Sequence, residues 1–325
     1  MSSENEGTIL EVPASSPRND RLIDGRNIVQ RLLDNPVILK ELRGRMRGRQ
    51  AFLLLTIYLG LITLFIGMVY AFLFEQSSNF LWEPSMRQTA GKAIFGTVIL
   101  LELLLLSFIA PGLTAGAITS ERERQTFDLL RTTLLSARSL VLGKLGSAFA
   151  FLFLLILTGL PVQSLAFILG GVGLGETVAA GLMLVVTAIF YCTLGIFFSS
   201  FMKRTLPATV SSYAAILLSF LVLVAIFFFI AYVESLSYNS TNQIREDILI
   251  VMLWFLISTN PIMAAVMSEV ILVDQQSLFY TNSPLFGGSG PAYLPSPWII
   301  YIVFYLGLTL IMILLSIYKV KQPDR

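Results

Sequence analysis

The sequence predicts an all-α polytopic membrane protein with six spanning helices, and three observations lead there. Of 325 residues, 55% are hydrophobic, and they gather in long blocks. Six blocks, 51–74, 93–118, 139–169, 177–202, 206–233 and 297–318, reach the roughly 20 apolar residues that a helix needs to cross about 30 Å of hydrocarbon. None alternates strictly as a barrel strand would, and lipid leaves only helix or closed barrel as spanning structures. The third observation is charge. Nine Lys and Arg precede the first block, five lie in 119–144, Lys203 and Arg204 follow the fourth, and Lys319, Lys321 and Arg325 close the chain. Only Arg87, Lys92 and Arg245 fall on the other side, so the positive-inside rule places both termini in the cytosol.

Taken in order, residues 1–20 are polar, carry Pro13 and Pro17, and read as a disordered leader. Residues 21–48 alternate Leu, Ile and Val with Arg at roughly helical spacing. Asn35-Pro36 supplies an N-cap and a first-turn proline within them. This reads as an amphipathic helical segment on the cytosolic membrane surface; the arginines also set topology, and the two readings are compatible. The transmembrane domain proper is 49–325. Its first apolar block sits behind this basic leader, unlike a cleavable signal peptide. After the fifth span, 248–257 is too short to cross and Ser258-Thr259-Asn260-Pro261 is a helix break. The chain is therefore expected to dip in from outside, turn at Asn260 and Pro261, and return, a re-entrant segment whose turn must be buried in protein or face water. Trp298 and Tyr301 would anchor the last span at the outer interface.

Much chemistry is excluded. There is no His and one Cys, Cys192, so the usual zinc, haem and iron–sulfur ligand sets are missing and no metal or catalytic residue is assigned. Acyl transfer on a His base is excluded as well. A phosphate-cradling GxxxxGK[ST] loop is absent, because Gly143-Lys144 is followed by Leu145, and the glycines of GGVGLG (170–175) lack dinucleotide spacing. The chain holds no cofactor of its own, has no nucleic-acid partner in prospect, and cannot hydrolyse ATP alone.

Residues 120–139, SERERQTFDLLRTTLLSARS, put seven charges between two long apolar blocks. Phe127, Leu129 and Leu130 interrupt the charges, followed by Leu134 and Leu135. The segment 119–138 reads as a helix with charged and apolar faces, suited to docking another protein or simply solvated.

The stretch GAITSERERQTFDLLRTTLLSARSLVLGK, Gly116 to Lys144, resembles the cytosolic loop of ABC-2-type permeases, the membrane subunits of a class of ATP-binding-cassette exporters. That loop commonly reads G-E-R-E-x-G-T-L-E-x-L-L-x-T-P-L-S, then L-x-x-G-K. Glu121, Arg122, Glu123, Thr126, Asp128, Leu129 or Leu130, Thr133, Ser136, Gly143 and Lys144 match it. Ser120 stands for the first Gly, Gln125 for the second and Leu134 for the Pro. NPVILKELRGRMRGRQAF and STNPIMAAV resemble further family segments, so the resemblance spans about 35–318. It implies a cytosolic coupling helix between spans 2 and 3, docked on a separate ATPase that binds ATP and Mg²⁺. Glu121, Arg122, Glu123 and Arg124 would pair with the ATPase, while Phe127, Leu129 and Leu130 fill its groove. It also implies a second permease, identical or related, in a prokaryotic plasma membrane, and an outer gate around Asn260 and Pro261. The other readings are a non-transporting scaffold or sensor that recruits an ATPase through 119–138, and an intramembrane enzyme.

Glu102 stands alone inside the second span. An ionisable group there is a pathway candidate, and the alternatives are a bond to a neighbouring helix or snorkelling outward.

Overall fold

The computed structural model describes residues 41, 44, 49–76, 83–127, 136–237, 243–275, 277–281 and 294–322. The leader 1–20 lies outside them, as does the interfacial segment 21–48 except for Glu41 and Gly44, which are helical. The described chain is mostly helical. In order it forms α1 (Arg49–Gln76), α2 (Pro84–Thr114), α3 (Thr119–Glu123), α4 (Ala137–Leu169), α5 (Leu174–Phe201), α6 (Thr205–Ser237), α7 (Gln243–Thr259), α8 (Pro261–Gln275) and α9 (Pro297–Lys321). A two-residue antiparallel pair, β1 (Tyr280–Thr281) with β2 (Leu294–Pro295), precedes α9.

Six of these helices, α1, α2, α4, α5, α6 and α9, are long and apolar enough to cross a membrane. α5 is the most buried and packs against α2, α4, α6, α8 and α9. One apolar cluster joins Tyr58 and Ile62 of α1 to Leu106 of α2, Leu152 of α4, Tyr191 of α5 and Tyr301 of α9. α1 and α6 instead leave Phe52, Leu64, Met68, Phe72, Leu217 and Phe228 exposed, which hydrocarbon accepts and water would not.

Helix ends follow local chemistry more than hydropathy. α2 starts nine residues before its apolar block because Pro84 occupies the first turn, where its missing N–H costs nothing. Gly170 ends α4 at φ = 78°, and a side chain on Gly171 would run into the backbone of Gln88, so the GGVGLG run serves a tight turn against α2. Gly112 and Gly116 both face α6, meeting Tyr213 and Thr205.

The break between α7 and α8 falls where Asn260-Pro261 predicts it. The two helices are bent by 116° relative to one another. Asn260, buried at 1% exposure, caps α8 by accepting from the N–H groups of Ile262 (3.0 Å) and Met263 (3.2 Å) at Oδ1. Its Nδ2 donates to Ser219 O of α6 (3.0 Å), and Tyr305 Oη of α9 donates to Thr259 O (2.8 Å). The broken backbone is thus satisfied by protein, as an apolar surrounding requires.

One expectation is corrected. Residues 119–138 do not form a single helix: α3 stops at Glu123, Phe127 is helical again, and α4 starts at Ala137 behind an N-cap, Ser136 Oγ, which accepts from Ser139 N (3.2 Å). Residues 128–135 lie outside the described set. Gln125 takes the left-handed conformation, φ = 58°. Its N–H donates to Arg122 O (3.0 Å) and that of Thr126 to Glu121 O (3.0 Å), the paired bonds of a Schellman stop.

Replacing Asn260 by Ala removes the α8 cap and the bond to α6, and should destabilise the protein by about 1–2 kcal/mol. Asn260→Ser, which keeps a cap acceptor, should recover part of that loss when unfolding is followed in mixed micelles.

Candidate functional site

Three clusters contain the residues singled out from the sequence, and they lie apart. The first is the elbow formed by α3 and its flanking turns at the basic end of the bundle, where α2, α5 and α9 end and α4 and α6 begin. Chain direction at that end leaves exposed carbonyls on α5 and exposed N–H groups on α3 and α6. The elbow supplies partners for both kinds. Ser199 Oγ of α5 accepts from the N–H groups of Ile118 (2.9 Å) and Thr119 (3.1 Å) at the α3 N-terminus. Arg122 Nη1 donates to Ser200 O (3.1 Å) and Met202 O (2.8 Å), placing a cation on the C-terminus of α5. The Glu123 carboxylate accepts from Thr205 N (2.7 Å) and Thr205 Oγ1 (2.9 Å), placing an anion on the N-terminus of α6. Two adjacent residues of opposite charge therefore hold the two sides of the α5–α6 turn.

The same elbow is tied to α4 and to the N-terminal segment. Lys144 Nζ, its side chain 5% exposed, lies 2.7 Å from Glu121 Oε1 and 2.9 Å from Glu41 Oε1, and Ser147 Oγ donates to Glu41 Oε2 (2.9 Å). A cation that deep needs such partners. Phe127 is buried with the Arg122 guanidinium 5.0 Å above its ring. Of the predicted docking residues, Glu121, Arg122, Glu123 and Phe127 are thus engaged within this chain. Arg124 and Thr126 are exposed, and Asp128, Leu129 and Leu130 lie outside the described residues. Glu41, Ser199 and Thr205 were not anticipated. A lysine at the mouth of an apolar block was the available signal that a carboxylate would meet it.

The second cluster surrounds Glu102, which is fully buried about 18 Å along α2 from its Thr114 end. Gln163 Nε2 of α4 donates to Glu102 Oε2 (3.3 Å). The Tyr58 hydroxyl of α1 faces the same point on α4 as the carboxyl, yet neither Tyr58 Oη nor Glu102 Oε1 has a hydrogen-bond partner. The group fits only because position 159 is glycine: a Cβ there would stand 1.8 Å from Oε1. Pro161, two residues on, lacks the N–H that would bond the carbonyl of residue 157. The third cluster is the Asn260-Pro261 turn described above. Among the described residues, no group of three or more acidic, His or Cys side chains is placed to hold a metal.

Compared with known proteins, the chain matches no family model, and no curated protein matches it at a significant level.

Gly159→Ala should cost about 1–3 kcal/mol by overpacking Glu102. Glu102→Ala removes the clashing atoms, so the double variant should be more stable than the sum of the two single losses, a coupling read from unfolding midpoints.

Proposed function

We propose that this chain is the permease subunit of an ATP-binding-cassette transporter working as an exporter. It takes its energy from a separate ATPase that binds ATP and Mg²⁺, and works as a pair with a second permease, identical or related. The observation that carries the proposal is the elbow: residues 118–127 join three other helices, α4, α5 and α6, through charged side chains rather than through loop backbone alone. A force applied there by a docked motor would move those helices as one body, which a rigid-body switch between two access states requires. A loop that merely connected two spans would need none of these bonds.

Two further features support the reading. Gln125 stands where the resembled loop carries glycine, and it has the left-handed backbone that glycine adopts most easily. The six spans, with the basic elbow, Lys203, Arg204, Lys319 and Lys321 assigned to the cytosol of a prokaryotic plasma membrane, leave the α7–α8 turn-back as an outer re-entrant gate around Asn260 and Pro261. Since Glu121, Arg122, Glu123 and Phe127 hold the elbow together, the predicted docking residues left to face the ATPase, among those described, are Arg124 and Thr126. Glu102, which stays the pathway candidate, is held within its own chain against α1 and α4.

The test is purification of the full chain in mild detergent, with mass spectrometry of what accompanies it and an ATPase assay. An ATP-binding-cassette subunit should co-purify. Arg124→Glu, an exposed change expected to leave stability within about 0.5 kcal/mol, should strip it away without shifting the unfolding midpoint. An ATPase-free oligomer, or an ATPase retained undiminished by Arg124→Glu, would contradict the assignment.

A further inference from the structure

At the end of the bundle opposite the elbow, α2, α5 and α8 leave a cavity of about 600 Å³, within the range of small-molecule sites. Its lining repeats at helical spacing on each helix. Lys92, Phe95, Gly96 and Ile99 follow one another on α2; Glu176, Ala179 and Met183 on α5; Ala265, Ser268, Glu269 and Leu272 on α8. The charges collect toward the ends of α2 and α5, while Phe95, Ile99 and Met183 form an apolar wall running toward the membrane interior. Leu100, Val266 and Val270 line the same cavity and are exposed apolar residues, so it opens sideways into hydrocarbon.

We propose that this cavity binds one zwitterionic phospholipid, headgroup at Lys92, Glu176 and Glu269 and an acyl chain along the α2–α5 wall. The charge pattern selects the head. Lys92 Nζ and Glu269 Oε1 are 3.7 Å apart, each side chain about a third exposed, which is too long for a closed hydrogen bond. The ammonium therefore retains donors for a phosphate, and the carboxylate retains acceptors for a cation. Two carboxylates against one ammonium disfavour a head that is only anionic. A purely cationic head would leave Lys92 opposed to it. A phosphoethanolamine head matches both signs. Ser268 plays no part in this, since its hydroxyl donates to Ala264 O (2.6 Å) and accepts from Trp298 N (3.2 Å). Assigning the lipid to the outer leaflet rests on the positive-inside reading; the site itself does not depend on an ATPase.

Trp298 lines the cavity and serves as the reporter. The full chain is placed in nanodiscs of phosphatidylglycerol with a minor fraction of phosphatidylethanolamine brominated on its acyl chains, or the same fraction of brominated phosphatidylglycerol. The Trp298 emission is isolated by difference from Trp298→Phe. Brominated phosphatidylethanolamine should quench it beyond that lipid's bulk share, and brominated phosphatidylglycerol should not. Glu269→Gln should abolish the excess. So should Gly96→Leu, which fills the apolar wall at a position where an added Cβ meets no atom within 4 Å and keeps every charge. If Glu269→Gln disturbs folding, Gly96→Leu decides alone. Quenching at bulk share for both lipids, equal excess for both, or an excess that survives Gly96→Leu would overturn the proposal.

Discussion

Arg122 and Glu123 grip opposite helix ends at one turn, and the basic end of this protein is organised around that grip. A helix C-terminus presents carbonyls and partial negative charge, and an N-terminus the reverse. At the α5–α6 turn the two ends meet, and an Arg-Glu pair laid across them satisfies both with the sign each prefers. Lys144 extends the arrangement to α4 and to Glu41 of the N-terminal segment. The elbow is short, but its bonds are spread over three helices, so a shift of the elbow would pull on α4, α5 and α6 together. In the proposed permease this property, more than the presence of charge, would make the segment able to transmit a motor's movement.

Elsewhere the same economy of polar groups recurs in apolar surroundings. Asn260 caps α8 and bonds α6 at once, so one side chain repairs a broken helix and fixes its neighbour. Glu102 is accommodated by the missing Cβ of Gly159 and by Gln163. Where lipid can cover a surface, as on α1 and α6, the chain leaves large apolar side chains bare. Polar residues inside the bundle thus make contacts between its own helices.

How much of this was legible in the sequence depends on range. The spans were legible because crossing hydrocarbon sets a block length, and the α7–α8 break because Asn followed by Pro is a local cap signal. The helix over 119–138 was misjudged because the stop at Gln125 depends on a left-handed residue that glutamine does not advertise, whereas glycine at that position would have. Charge along 120–124 was visible, but its use was not. The partners Thr205, Ser199, Lys144 and Glu41 lie some twenty to eighty residues away in sequence, and only packing brings them together. The Lys92–Glu269 pair was hidden for the same reason.

Side chains, and Glu123 above all, close the helix ends of the elbow and hold it as part of the bundle. Amide hydrogen exchange at single-residue resolution on the reconstituted protein measures this at Thr205, whose N–H donates to the Glu123 carboxylate. The Thr205 amide should be protected in the wild type and lose that protection in Glu123→Ala, while amides deep in α5 keep theirs. A Thr205 amide that exchanges freely in the wild type, or one equally protected without the Glu123 side chain, would contradict it.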